Sequence, residues 1–235
     1  TVQQGEPLRL ECLVENLANF PGDSLLIKYA IRAENNAETV VLKRERAFAA
    51  HDSLRTALVL DTKQLSGKYS LLMELNPSDE QPEQTHVNNV LATSFYVVKD
   101  ARNPLLDVTF DGVHIMDGDL VAAKPQIRIS LEDENAFLKL NDTALFRLYI
   151  ALPDTNAALL PIYFNDPNLV FYPAQTSNKN RAFIEYNPVF SNDGDSKLIV
   201  QSRDISGNQS GSLDYKIGFK IITKSIPCIC YEIPI

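Results

Sequence analysis

The stretch Leu8-Arg9-Leu10-Glu11-Cys12-Leu13-Val14-Glu15 decides the fold. Apolar and polar side chains largely alternate along it, and successive side chains of a β-strand point to opposite faces of a sheet. A period of two therefore predicts a half-buried strand over residues 8–15 rather than a turn of helix.

The same alternation recurs along the first 98 residues, with Gly, Pro, Asn, Asp and Ser concentrated between the runs. These residues favour tight turns. Further strands are predicted over residues 25–32, 38–48, 54–60, 67–75 and 90–98. Many short strands without a convincing helix are the pattern of an antiparallel β-sandwich.

A polar segment at residues 99–104 ends in Asn-Pro and is the predicted linker. The alternation then restarts. Strands are predicted over residues 105–110, 126–131, 144–152, 159–164, 169–172, 182–186, 197–203 and 213–222. The sequence therefore predicts an all-β protein of two tandem antiparallel Ig-like β-sandwiches, over residues 1–99 and 104–224, followed by a C-terminal tail at 225–235.

Composition narrows the classes of partner. The 235 residues carry 22 Lys and Arg against 30 Asp and Glu, a net charge of −8. An acidic chain without a basic patch is a poor ligand for nucleic acid or an anionic membrane. No uncharged apolar run approaches the roughly 18 residues of a membrane-spanning helix, so no membrane span is expected. Because the sequence opens with Thr1, we expect a piece of a longer protein.

The histidines and cysteines do not predict an active site. His51, His86 and His114 lie in separate segments, away from the cysteines. A nucleophile needs a base within hydrogen-bond reach, and no Gly-x-Ser-x-Gly turn is present. We therefore expect no catalytic activity in this region, and any catalytic domain would lie upstream of it.

The three cysteines are expected to be free thiols. Cys12 belongs to the first predicted strand, whereas Cys228 and Cys230 lie near the other end of the chain. With one residue between them, Cys228 and Cys230 are too close for an easy unstrained bridge. They are also too few for a structural zinc site, which usually needs four ligands.

No cofactor is expected from the sequence unless acidic turns bind a calcium ion. Asp111, Asp117 and Asp119 fall within nine positions, and Asp133 and Asn135 belong to a second acidic turn. Calcium prefers several oxygen ligands from such loops. These five residues are the candidate metal ligands. The competing explanation is turn chemistry alone, because Asp and Asn also favour tight turns.

A polysaccharide-binding module, possibly calcium-assisted, is the alternative function. Exposed aromatic rings on a sheet would support it, but the chain contains no Trp. Alternation places most of the other aromatic residues in the core or across neighbouring strands. The aromatic residues in question are Tyr163, Phe164, Phe171, Tyr172, Phe183 and Tyr186.

The end of the first predicted domain resembles a bacterial adhesion-related Ig-like module of the CARDB type. The resemblance rests on residues 69–77 (YSLLMELNP), the segment 86–90 (HVNNV) that starts the last strand, and that strand's ending at 95–97 (FYV). It covers residues 5–98.

The second predicted domain resembles the Ig-like region near the C-terminus of large secreted Bacteroidetes proteins. Residues 104–119, 124–127 and 131–135 carry this resemblance, and residues 202–208 (SRDISGN) are similar to a turn common in bacterial surface Ig-like domains. The proteins in question include gingipain-type C25 cysteine peptidases and the sortase-like component of the type IX secretion system.

These resemblances imply a non-catalytic accessory region of a secreted or cell-surface protein, associated with the outer membrane after periplasmic transit. Such a region acts as a spacer, adhesion or interaction module next to a catalytic or sorting domain. Its partners would be other domains of the parent protein or cell-surface proteins.

Overall fold

Short strands form wherever apolar and polar side chains alternate. The computed structural model describes residues 1–83, 86–156, 158–175 and 179–224. The chain divides into two compact units, Thr1–Asp100 and Ala101–Ile235. Strands form almost all of the regular structure in the described residues, which confirms the predicted all-β sandwich class.

Among its described residues, the first unit contains seven strands in two sheets. They are β1 (Val2–Gln3), β2 (Leu8–Glu15), β3 (Leu26–Ala33), β4 (Glu38–Arg44), β5 (Ser53–Leu60), β6 (Gly67–Leu75) and β7 (Val90–Val98). One sheet has the order β1-β7-β6-β3-β4 and the other pairs β2 with β5. Apolar side chains from both sheets form one core, in which Ile27 and Val97 are fully buried.

The second unit contains nine strands among its described residues. They are β8 (Leu105–Phe110), β9 (Asp119–Ala122), β10 (Ile127–Asp133), β11 (Phe146–Ala151), β12 (Leu160–Ile162), β13 (Leu169–Tyr172), β14 (Asn180–Tyr186), β15 (Gly194–Ser202) and β16 (Tyr215–Ile222). They form a sheet of order β13-β14-β10-β8 and a sheet of order β12-β11-β15-β16-β9. Ile127, Leu198 and Ile221 are fully buried in the core between them.

Two short edge strands of the five-stranded sheets are parallel to their neighbours. β1 pairs with β7, and β9 pairs with β16. Neither strand was predicted from the sequence, because each becomes extended by pairing with a strand that is distant in the chain. The other ladders are antiparallel, as predicted.

One predicted strand extends too far. Residues 38–48 were expected to be continuous, whereas β4 ends at Arg44. Phe48 instead makes an isolated bridge to Gly22, so the chain has already left the sheet.

Cys12 carries a free thiol. Cys228, Cys230 and the predicted tail at 225–235 lie outside the described residues. Within the described ranges, no helix has the length and apolar character that a membrane crossing requires.

Candidate functional site

The loop after β10 is folded by its own polar side chains. The Asp133 carboxylate accepts a hydrogen bond from the Asn135 backbone N–H at 3.1 Å, and Asn135 Oδ1 accepts from the N–H groups of Phe137 and Leu138 at 2.9 and 3.1 Å. Asp133 is only 3 % exposed and Asn135 is also buried. These bonds replace the ladder bonds that the chain loses when β10 ends.

Asn180, at the start of β14, fixes the same loop from the side. Its Nδ2 donates to the carbonyl oxygens of Asn135 and Leu138, both at 2.7 Å, and its Oδ1 accepts from the Leu140 N–H at 2.9 Å. Asn180 is buried, so all three bonds are shielded from water. The position of Asp133 and Asn135 is therefore set by a rigid contact with a neighbouring strand.

A second buried carboxylate follows β15. Asp204 Oδ1 accepts from the Asn208 backbone N–H at 2.8 Å, and its Oδ2 accepts from Asn208 Nδ2 at 2.7 Å. Gly207 supplies the positive φ of +91° that this tight turn requires. Asp204 is 1 % exposed. Asp204 belongs to the 202–208 motif but is not among the five ligands predicted from the sequence.

The ends of β10 and β15 bring two buried carboxylates together. Oxygen atoms of Asp133 and Asp204 lie within 4.8 Å of one another. Two calcium ligands at the usual 2.3–2.6 Å from the ion can be at most about 5 Å apart, so this spacing suits one bridging cation. Carboxylates this close repel unless a cation, a proton or hydrogen-bond donors balance their charge.

The other three predicted ligands have backbone partners. Asp111 accepts from the Gln126 N–H at 2.8 Å, Asp117 from the Gly218 N–H at 2.7 Å, and Asp119 from the Met116 N–H at 2.8 Å. None of the three belongs to a group of three close metal-ligating side chains among the described residues. Asp111 follows β8, whereas Asp117 belongs to the turn that leads into β9 and Asp119 begins that strand, and all three shape the backbone.

Each histidine lies beside an amide or a carboxylate. His51 Nε2 is 2.9 Å from Asn19 Oδ1, His86 Nδ1 is 3.5 Å from an Asp79 oxygen, and His114 Nε2 is 2.6 Å from Asp107 Oδ1. Among the described residues, no hydrogen bond joins a histidine to a serine, threonine or cysteine side chain. The described histidines therefore do not form the base–nucleophile pair that covalent catalysis uses.

The aromatic candidates divide between core and surface. Tyr186 is buried, and Phe164 and Phe171 pack against the core. Phe183, on β14, stacks on Tyr172 of β13 with ring centroids 4.5 Å apart. Of the six, Tyr163 and Tyr172 are the most exposed, at 66 % and 39 %.

Planar side chains stack in a row on the outer face of the β13-β14-β10-β8 sheet. The Arg128 guanidinium lies 4.1 Å from the centroid of Phe183, on which Tyr172 also stacks. The Tyr172 hydroxyl donates to Glu185 at 3.4 Å. This row combines an aromatic ring with charged groups that could hydrogen-bond a ligand.

A depression of about 450 Å³ lies over Gly218 on the larger sheet of the second unit. Charged side chains surround it, among them Asp195, Lys197 and Lys216. Its aromatic lining residue, Phe219, is buried. The depression therefore does not offer the exposed ring that a sugar would stack on.

Comparison with known proteins finds weak similarity to solved structures and none to a family model. No family model matches the chain, and no curated protein matches its sequence. Among solved structures, the chain is similar to dimeric latent PorU from Porphyromonas gingivalis, with 13 % identity and a TM-score of 0.39 over 96 % of this chain and 22 % of that one. The chain therefore spans about a fifth of the length of PorU.

Two further solved structures show similarly weak likeness. A chimeric titin Z1Z2 has 10 % identity and a TM-score of 0.35 over 96 % of this chain and 93 % of that one. The transglutaminase of red sea bream has 11 % identity and a TM-score of 0.29 over 94 % and 30 %. By its own strands and sheets, the chain belongs to the class of all-β sandwich proteins, and similarity this low says nothing of its activity.

Proposed function

We propose that the chain is a non-catalytic accessory region of a secreted or cell-surface bacterial protein. It acts as a spacer, adhesion or interaction module beside a catalytic or sorting domain, and its partners are neighbouring domains or cell-surface proteins. The supporting observation is the use of its polar side chains: Asp111, Asp117 and Asp119 each accept a hydrogen bond from a backbone N–H group and so hold turns and strand ends in place. The CARDB-like and gingipain-type sequence resemblances support the surface location.

Binding to bacterial cells tests this proposal. Fluorescently labelled chain is added to intact Bacteroidetes cells, either untreated, stripped of surface proteins by protease, or oxidised with periodate to destroy surface glycans. The proposal predicts saturable binding that protease abolishes and periodate leaves unchanged. Absence of saturable binding would contradict an adhesion or interaction role. Hydrolysis of a denatured protein substrate that is lost in His114→Ala would contradict the non-catalytic assignment.

Polysaccharide binding is the second candidate, favoured by the exposed Tyr172 ring beside Glu185 and Arg128. Sugar rings stack on aromatic side chains, and their hydroxyl groups hydrogen-bond to charged groups. Affinity electrophoresis in gels containing polysaccharide tests it. This candidate predicts retardation that Tyr172→Ala abolishes and that Tyr163→Ala, the matched exposed control, leaves unchanged. Equal mobility with and without every polysaccharide tried would eliminate it.

We also propose calcium as the ligand of the Asp133–Asp204 pair, with Asn135 in the same buried loop. The short distance between two buried carboxylates supports this. A cation that binds only the folded chain raises its stability. The melting temperature should therefore be higher in millimolar calcium than in chelator for the parent chain and for the control Asp117→Asn. For Asp204→Asn the two melting temperatures should be equal. Identical unfolding of the parent chain in both buffers would contradict the proposal.

A further inference from the structure

β2 is an edge strand with one side unpaired. Among the described residues its eight positions pair with β5 alone, from Leu8 opposite Leu60 to Glu15 opposite Ser53. An unpaired edge presents a row of backbone donors and acceptors to which another strand can add.

Two hydrogen bonds identify the groups on the free side. The Asn16 N–H donates to the Asp52 carbonyl at 2.9 Å, which continues the β2–β5 ladder and makes the even-numbered positions the ones that bond to β5. The Ala57 carbonyl, opposite Glu11, instead accepts from Lys43 on the far side of β5. The alternation therefore directs the N–H and C=O groups of residues 9, 11, 13 and 15 away from β5.

The side chains along this edge are incompletely covered. Leu8 and Val14, near the ends of β2, are buried, whereas Leu10 and Cys12 between them are only half-buried. All four belong to the face that packs on the core. A strand added to the edge would cover the two central side chains.

We propose that two copies of this chain pair antiparallel through β2 about a two-fold axis, forming a continuous β5-β2-β2-β5 sheet. A second copy fits because the edge is complementary to itself. With the two-fold axis at Cys12, residues 9–15 of one copy lie opposite residues 15–9 of the other, which uses nearly the whole strand. Arg9 then lies opposite Glu15 of the second copy and Glu11 opposite Leu13, so that both ends carry an ion pair.

The other registers are worse. An axis at Glu11 would place the two Glu11 side chains opposite each other, and an axis at Leu13 would place Glu11 opposite Glu15. Like charges in directly opposed positions destabilise a sheet. Axes at Leu10 and at Val14 avoid this but join only residues 8–12 and 13–15 of the strand. Charges on an edge usually prevent unspecific pairing, and here they select a single register.

The proposed axis gives Cys12 a diagnostic position. Each Cys12 would lie opposite Cys12 of the second copy, in a non-hydrogen-bonded pair of the antiparallel ladder, where Cα atoms are about 4.5 Å apart. This lies within the roughly 4.4–6.8 Å range of disulfide-bonded cysteines. An oxidant that accepts the two thiol electrons, such as copper phenanthroline with oxygen, should therefore form one S–S bond across the axis and release both thiol protons.

The test uses the full chain with Cys228→Ser and Cys230→Ser, so that Cys12 is the remaining thiol. Sedimentation equilibrium should give twice the mass of one chain, and oxidation should give a covalent dimer that reductant reverses. Leu13→Pro removes one outward N–H without breaking a bond to β5 and should give a monomer that does not cross-link. A monomer at every concentration up to the millimolar range, or equal cross-linking of Leu13→Pro, would overturn the proposal.

A charge exchange distinguishes pairing through this register from any other association. Arg9→Glu should raise the dimer dissociation constant at least about tenfold, because like charges then oppose each other at both ends. Adding Glu15→Arg restores opposite charges across the axis and should recover most of the affinity. Failure of the double variant to dimerise more tightly than Arg9→Glu would overturn the register.

Discussion

Replacing Asn180 by Ala should destabilise the second unit strongly. The side chain makes three buried hydrogen bonds, to the Asn135 and Leu138 carbonyls at 2.7 Å and from the Leu140 N–H at 2.9 Å. Each contributes about 1 kcal/mol net, and the truncation leaves buried backbone groups without this partner, so the free energy of unfolding should fall by about 3 kcal/mol. For a unit of this size, the melting temperature should fall by about 10 °C.

Urea unfolding followed by circular dichroism measures the loss. The matched control is Asn187→Ala, because Asn187 follows β14 directly and is exposed. Its free energy of unfolding should stay within about 0.5 kcal/mol of the parent value. If Asn180→Ala cost less than about 1 kcal/mol, the three bonds would not be what positions the 135–140 loop.

Three further changes test other contacts. Gly194→Ala should cost about 1–3 kcal/mol in urea unfolding, because φ is +138° and the new Cβ would lie 3.0 Å from Pro153. Burial raises the pKa of Tyr186 to about 12 from its ordinary value of 10. The stability that this gives the folded chain is present below pH 10 and should decline as the pH rises toward 12. Melting curves at alkaline pH should show this decline for the parent chain but not for Tyr186→Phe. Hydrogen bonds, of which the one from Lys43 has the largest effect, lower the pKa of Glu45. The stability that this gives at neutral pH should decline below about pH 5, and the decline should be smaller in Glu45→Gln.

Alternation predicts strands well where one face is buried and the strand is long enough to show it. β2 and β8 occupy the predicted residues, Leu8–Glu15 and Leu105–Phe110. β1 and β9 were missed because pairing with a distant strand, rather than a local pattern, makes these short segments extended. Tertiary context decides strand formation in such segments.

The candidate site was predicted only in part, because some of its residues come together only when distant segments fold against each other. Asp133 and Asn135 were identified because acidic residues cluster in their loop. Asp204 stands alone in its segment, and only the folding of two sheets brings it near Asp133. Its buried turn with Asn208 could have been inferred from the 202–208 motif, since an Asp before a Gly-Asn turn commonly caps backbone N–H groups.

The chain consists of two sandwich units, each stabilised by its own core and its own buried polar contacts. In the first unit, Thr56 Oγ1 lies 3.0 Å from the Tyr29 hydroxyl and donates to Glu45 at 2.7 Å. Hydrogen exchange of Thr56→Val and Asn180→Ala, measured by mass spectrometry on the full chain, tests whether the two units are stabilised independently. Thr56→Val should accelerate the exchange of core amides within residues 1–100, and Asn180→Ala within residues 101–224. Faster exchange of core amides throughout the chain in either variant would show that the two units are not stabilised independently.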